Sequence, residues 1–440
     1  MGNPIRKPDT AVDTTTWFRC TMLFLLVEYA RPQDLIPGVG LIRPAMLVML
    51  ILIYFLIKHR ALLVRGSKQI RMIWYFIALL GAYIPFARNN YYAYATFTSM
   101  LKFMPFILSL LVCVDTIDRL KTFMKFYAGL MAYVALFALT HGGVGSGNYF
   151  ADENDVSLYL NMVIPFCYFL FALEAKKTKL FYAATLLIGV LTVVVSFSRG
   201  GFVGLVLMFF IVWLTSPRKM VSVVVILVLG LGVYLYAGDK YVKEMGTVTD
   251  TKESTASARL KSWASGWDMF LENPLGVGGN NFQVRFPEYQ GDRFSRGMWG
   301  RVAHSLWFTL IPELGVVGIV IYFRLLFYNL RDIFSLKTTR KDKTQLTDAE
   351  RYLNAMSIAF LASLAGYFAS ASFISVLYYP HYWYLTAIIV ACAQIRMKMA
   401  ASEAPGSSVP MKKGPAAKAP ARKVLAAQPK SAPFHRNASY

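Results

Sequence analysis

Apolar residues along this chain gather into blocks of roughly 15–25 residues, separated by shorter polar connections. A block of that length, wound as a helix, crosses a hydrocarbon core about 30 Å thick. Lipid offers the backbone no hydrogen-bonding partners, so such blocks are expected as helices. They fall at 17–30, 44–57, 72–87, 96–114, 122–140, 156–173, 180–197, 202–215, 220–236, 305–328, 353–373 and 382–396. The pattern predicts an all-α polytopic membrane protein with about twelve transmembrane helices. No small-residue cleavage site follows the first block, Trp17 to Ala30, which is therefore expected to be a retained helix and not a signal peptide.

Composition agrees: 56% of the residues are hydrophobic and 16% charged, too little polar surface for a soluble domain of this size. Basic residues occupy alternate connections. Lys58, Arg60, Arg65, Lys68 and Arg71 form one set, followed by Arg119 and Lys121, then Lys176, Lys177 and Lys179, Arg218 and Lys219, and Arg340, Lys341 and Lys343. The positive-inside rule puts these connections and both termini in the cytoplasm. The same distribution accounts for the formal charge of +22 without a nucleic acid. Cys20, Cys113, Cys167 and Cys392 all fall in apolar blocks and read as small buried side chains, not as disulfide partners or metal ligands. Two regions follow: a transmembrane domain over 1–399, and a basic Ala/Pro/Lys/Ser-rich tail over 400–440, expected to be disordered and cytoplasmic.

One outside connection, residues 237–304, is far longer than the rest, and its pattern predicts order. Leu260, Trp263, Trp267 and Phe270 recur at helical spacing after a possible N-cap, Ser257. That helix should stop at Asn273-Pro274, ahead of the turn-forming Gly276, Gly278 and Gly279. Its apolar stripe suits either a membrane interface or the roof of a cavity. Neither the GVGGNN nor the GGVGSG run is followed by the Lys-Ser/Thr of a phosphate loop, so nucleotide binding is rejected. No internal repeat is evident, which weighs against a transporter built of repeated halves.

Several residues have the chemistry to handle an anionic, lipid-linked donor. Arg199, in SFSRGG, stands at the outer end of one block and the start of the next; its guanidinium can clasp phosphate oxygens or snorkel to headgroups. The paired Gly200 and Gly201 permit a tight reversal there. Arg259, beside the tryptophan stripe, reads by itself as a solvated charge, as do Arg285, Arg293, Arg296 and Arg301. His304 opens a helix whose positive dipole end favours the neutral imidazole, a form able to accept a hydroxyl proton. Glu313 lies nine residues on and on the opposite face at about 100° per residue, with Pro312 a possible kink between them. It lines a substrate site or, preferably, braces a neighbouring helix. Asp152, Glu153 and Asp155 could hold a divalent cation, although such clusters are common in exposed loops. No metal or cofactor is expected. Trp263, Trp267 and Trp299 could stack on sugars or belong to an interfacial belt.

SFSRGGFVGL, SARLKSW with NPLGVGGNNF, and AHSLWFTLIPELGVVG, in this order and spacing, resemble the O-antigen ligase/polymerase superfamily, as does the upstream DENDVSLYLN. The resemblance covers mainly residues 150–320. It implies a membrane glycosyltransferase of the type C architecture that transfers glycan from undecaprenyl pyrophosphate to an outside acceptor with inversion, without metal or nucleotide sugar. Arg199 and Arg259 would then hold the pyrophosphate and His304 would activate the acceptor hydroxyl. Apart from the resemblance, Asp155, Glu313, Trp263 and Trp267 stand as the candidate substrate contacts. Ser305 stands where the family often has asparagine. The expected setting is the bacterial inner membrane with the site facing the periplasm. The expected partners are membrane lipids, the lipid-linked donor, and either lipid A core or a growing glycan. Polymerisation, or transfer to a protein hydroxyl, stays open beside ligation, and a polysaccharide flippase is the rival from another class.

Overall fold

Every apolar block that falls on described residues forms a helix. The computed structural model describes residues 12–63, 66–215, 219–220, 223, 254–294, 297–338 and 345–403. Residues 1–398 form one compact unit; of the second, 399–440, only 399–403 are described. Apart from residues 220 and 223, the block at 220–236 lies outside the described residues, as do the first part of the long connection and the tail from 404.

The helices are α1 (Thr15–Ala30), α2 (Pro44–Lys58), α3 (Lys68–Tyr83), α4 (Asn90–Cys113), α5 (Ile117–Thr140), α6 (Glu153–Phe171), α7 (Lys176–Val195) and α8 (Arg199–Thr215). The chain continues with α9 (Ser254–Glu272), α10 (Phe282–Tyr289), α11 (Trp307–Ser335), α12 (Asp348–Ala371) and α13 (Pro380–Glu403). Among the described residues eight helical spans are long and apolar enough to cross a membrane, α4–α7, α11–α13 and the span Val39–Lys58 that ends in α2, with α8 a shorter apolar helix. Several begin before the apolar block because polar residues cap them: Ser67 for α3, Asn89 for α4, Thr116 for α5, and a Thr347/Glu350 capping box for α12. The four cysteines are free, three of them buried and Cys20 partly exposed.

The bundle is organised around α6. In its most apolar window 83% of residues are buried, against 17% for the window ending in α2, so α6 is central and α2 peripheral. Small and polar side chains let α6, α8 and α12 approach closely. Asn161 Nδ2 donates to Gly201 O (2.7 Å) and Ser370 Oγ (3.0 Å), and Ser363 Oγ donates to Met162 O (2.6 Å). A Cβ on Gly201 would lie 2.4 Å from that of Ser157. The glycine pair therefore serves helix packing. The reversal expected from it is made one step earlier by Phe197, at φ 54°.

Helix α11 is broken at Gly315 (φ 58°, ψ −161°), three residues past Pro312. The Asn273–Asn281 loop takes over the hydrogen bonds that the helix gives up. Val316 N, the donor a regular helix would aim at Pro312 O, bonds Pro274 O instead (2.9 Å). Pro312 O and Glu313 O receive Val277 N (3.0 Å) and Gly278 N (2.8 Å). Tyr83 Oη donates to Leu275 O and Leu314 O, tying α3 to the same point. A side chain at Gly315 would run into the Leu275 backbone at 2.3 Å, and that φ/ψ combination is open essentially to glycine alone.

Candidate functional site

Four helix ends and one amphipathic helix meet at one end of the bundle. Asp152 caps α6, accepting from Asn154 N (2.7 Å). Ser198 caps α8, accepting from Gly201 N at 2.9 Å, and its hydroxyl donates to Asn154 Oδ1 at 2.6 Å. Arg199 is thus the first residue of α8, half-buried and held beside the start of α6. The start of α11 is tied to the end of α12 by Leu306 N to Ala371 O (2.9 Å) and Trp307 Nε1 to Ser372 Oγ (3.0 Å). Gly200 lies against Phe373, which brings α8 to the same corner.

Helix α9 closes over this corner. It ends at Glu272, immediately before Asn273-Pro274 as the sequence requires, and starts at Ser254, ahead of Ser257. The predicted stripe does not face inward as a whole. Ser262, Ser265 and Met269 are buried, while Leu260 and Trp267 are each 46% exposed. Trp263 is structural in part: its Nε1 donates to Ala303 O (2.9 Å) and its ring stacks on Phe308 at 5.2 Å. Trp267 and the 76%-exposed Trp299 stay open. Met269, Val277, Phe282, Phe286, Tyr289 and Ala303 form a small core of their own beneath α9 and α10.

His304 sits where these constraints converge. Ala303 O is held by Trp263 and Leu306 N by Ala371, so the two residues between are fixed, His304 at φ 47°, a left-handed conformation uncommon outside glycine. Its side chain is exposed. Desolvation by the surrounding protein, then the positive charges of Arg259 and Arg301, lower its pKa below the ordinary histidine value, and Asp152 partly opposes them. The neutral imidazole therefore persists at pH values where a free histidine would be half protonated. Those same interactions place Arg259 and Asp152 around His304. Arg301, which by sequence resembled an ordinary surface charge, belongs to this group. Its guanidinium donates to Ser262 Oγ and Ala258 O (2.9 Å) and covers the Phe294 ring. Arg285 and Arg293 fit the surface reading, paired with Glu288 (2.9 Å) and Asp268 (2.7 Å). Arg296 lies outside the described residues.

The two acidic candidates separate. Glu313 is buried and its oxygens are taken up by structure: Oε2 accepts from Asn280 N (2.7 Å) and Tyr378 Oη (2.6 Å), and Oε1 from Phe282 N (3.1 Å). Its partners are not those of a neighbouring helix, as preferred from sequence, but chiefly those of the glycine-rich loop beside the α11 break. Asp155 is also buried, but Oδ1 has no hydrogen-bond partner among the described residues, and Oδ2 stands 3.5 Å from Tyr379 Oη. Its carboxylate is not consumed by the fold. Asp152, Glu153 and Asp155 do not gather as a metal cluster; among the described residues no three His, Cys, Asp or Glu side chains do.

Sequence reading missed the aromatic floor behind Asp155. Tyr379 packs on Tyr149 (5.3 Å), and His381 sits among Tyr29, Phe150 and Tyr159, with Tyr29 Oη 2.9 Å from its Nδ1. Burial and the charge of Asp155 push the Tyr379 hydroxyl well up, so it remains a donor. The dense run Tyr378-Tyr379-Pro380-His381-Tyr382-Trp383-Tyr384 was its signal in the sequence. On the far side of Tyr149 a cleft of about 540 Å³ opens between α1, α2 and α4, with Glu28, Arg43 and Lys102 among its lining.

The arrangement brings together cations, an imidazole whose pKa is lowered, and a buried carboxylate with one oxygen lacking a partner among the described residues, all at one helix-bundle end. Residues 184–323, which carry Arg199, Arg259 and His304, match the model of a family described as O-antigen ligase. No curated protein matches the chain.

Proposed function

We propose, from the match of residues 184–323 to the family described as O-antigen ligase, that this is a membrane enzyme of ligase/polymerase type which transfers a preassembled glycan from undecaprenyl pyrophosphate at the periplasmic face, most simply onto lipid A core. The observation that carries the proposal is the grouping of His304 with Arg259 and Asp152 at the bundle end where Arg199 begins α8.

In this reading Arg199 and Arg259 hold the diphosphate, whose negative charge grows as the glycosidic bond breaks. Guanidinium is permanently charged and meets phosphate oxygens in a bidentate manner. The acceptor hydroxyl loses its proton to the His304 imidazole while its oxygen forms the new bond to the anomeric carbon. The bond pair of the old linkage leaves with undecaprenyl pyrophosphate, and attack from the opposite face inverts the centre. Cations positioned where charge develops supply the electrostatic stabilisation, so the proposal includes no metal. Trp267 and Trp299 are open to stack on sugar faces.

A pH profile tests the base. Because the neutral form of His304 is active and its pKa is lowered, kcat/KM should fall only as pH drops below the ordinary histidine range. Removing a positive neighbour in Arg301→Gln should move that acid limb upward. An acid limb at or above 6.5 in the wild type, or one indifferent to Arg301→Gln, would argue against His304.

The acceptor is decided by supplying protein in lipid with donor, with and without lipid A core. Product only with core identifies a ligase. A ladder of longer lipid-linked glycans without core identifies a polymerase.

A further inference from the structure

We propose that a cationic groove between α3 and α11, at the end of α11 away from His304, binds the phosphate headgroup of an anionic phospholipid. The groove has a volume of about 270 Å³ and is lined by Lys68, Arg71 and Arg324 together with Tyr75, Ile321 and Tyr328. It lies on the order of 30 Å along α11 from the candidate site, at 1.5 Å per residue.

Its charges are arranged for a ligand and not for each other. All three cations are exposed, and among the described residues none is within ion-pair distance of a carboxylate. The nearby acid, Asp332, is already occupied: Gln69 Nε2 donates to its Oδ2 (2.6 Å) and Arg331 Nη2 to its Oδ1 (2.6 Å). Tyr328 organises the site. Its hydroxyl accepts from Arg324 Nη2 (3.1 Å), and Lys68 Nζ lies 5.4 Å from the centre of its ring.

Topology explains Lys68 and Arg71, which belong to a basic connection. It does not explain Arg324, set in the apolar run Ile321-Tyr322-Phe323-Arg324-Leu325-Leu326. A cation in such a helix is retained where it meets a counter-charge. The flanking surface is apolar: Trp74, Phe323 and Phe327 are all exposed beside the groove. Three unneutralised cations above an apolar belt match a molecule that is anionic at one end and acyl at the other, and basic pockets between membrane helices take such headgroups.

The test uses delipidated full-length protein in detergent, titrated with phosphatidylglycerol, phosphatidylcholine or inorganic phosphate and read by native mass spectrometry. Wild-type protein should retain phosphatidylglycerol in clear preference to phosphatidylcholine. Arg71→Gln with Arg324→Gln should weaken that binding roughly 30-fold, taking each cation as about fivefold. Arg324→Lys, which keeps the charge, should hold most of it and serves if the double variant fails to fold. Equal retention of the two lipids, wild-type binding by the double variant, or loss of binding in Arg324→Lys as complete as in the double variant would overturn the proposal. So would displacement of the lipid by inorganic phosphate at matching concentration, which would mark a site for free anions.

Discussion

His304→Ala is expected to lower glycan transfer by roughly a hundred- to ten-thousand-fold, the range that a positioned general base contributes, while the protein still inserts and melts only slightly lower than the wild type. The side chain is exposed and its backbone is fixed by neighbours, through Trp263 to Ala303 and Ala371 to Leu306. Losing the imidazole therefore removes chemistry without removing a brace. Alanine tolerates the left-handed φ less well than histidine, at a cost of order 1 kcal/mol. His304→Asn, better suited to that backbone, separates the two effects: it should be as inactive as alanine and melt no lower than wild type. Transfer at the wild-type rate in either purified variant would remove His304 from the mechanism.

Glu313→Ala is expected to act through stability. The carboxylate accepts from two backbone N–H groups and the Tyr378 hydroxyl, and it is almost wholly buried. Deleting it strands three donors and leaves a void, a loss of about 3–5 kcal/mol by comparison with other broken buried networks. The loop over Gly276–Asn281 would lose its anchor at the α11 break, and α9, which leads into that loop, would loosen with it. Thermal unfolding of the purified variant should fall by several degrees, and activity should fall in parallel. An unchanged melting temperature combined with a raised KM would instead make Glu313 a substrate contact.

The helices were legible because lipid imposes one rule on every spanning segment: the backbone must satisfy itself. Apolar blocks therefore marked α1–α8 and α11–α13 to within seven residues at either end, and part of the shortfall at their starts came from polar caps such as Asn89 and Thr347. The break in α11 was not legible in place. Pro312 drew attention, but the helix opens at Gly315 because a loop forty residues upstream in sequence docks there and exchanges hydrogen bonds with it. Such an exchange depends on contacts between distant segments, which periodicity does not record. Of the candidate site, His304 and Arg199 could be proposed from residue type at helix ends, whereas Arg259 by itself read as a solvated charge and joined them only through the family resemblance. Arg301 could not be read in this way, since its link to His304 arises only when residues 297–303 fold back on α9. The stripe on α9 left two facings open, a membrane interface or a cavity roof; small Ser262 and Ser265 take the buried side, and larger Leu260 and Trp267 are left outward. At a crowded helix junction, close approach favours small residues over the most hydrophobic ones.

The central claim is that this chain breaks the bond between glycan and lipid diphosphate, and does not carry the intact donor across the bilayer. The most direct measurement places wild-type protein in sealed vesicles with verified undecaprenyl-pyrophosphate glycan and lipid A core in the presence of a metal chelator. Free undecaprenyl pyrophosphate and glycosylated core are quantified together, and the new anomeric linkage is assigned by NMR. The account predicts equimolar release of the two products with an inverted linkage, at a rate the chelator leaves unchanged. Donor that moves between leaflets intact, with no release of lipid diphosphate, would contradict it and make the protein a transporter.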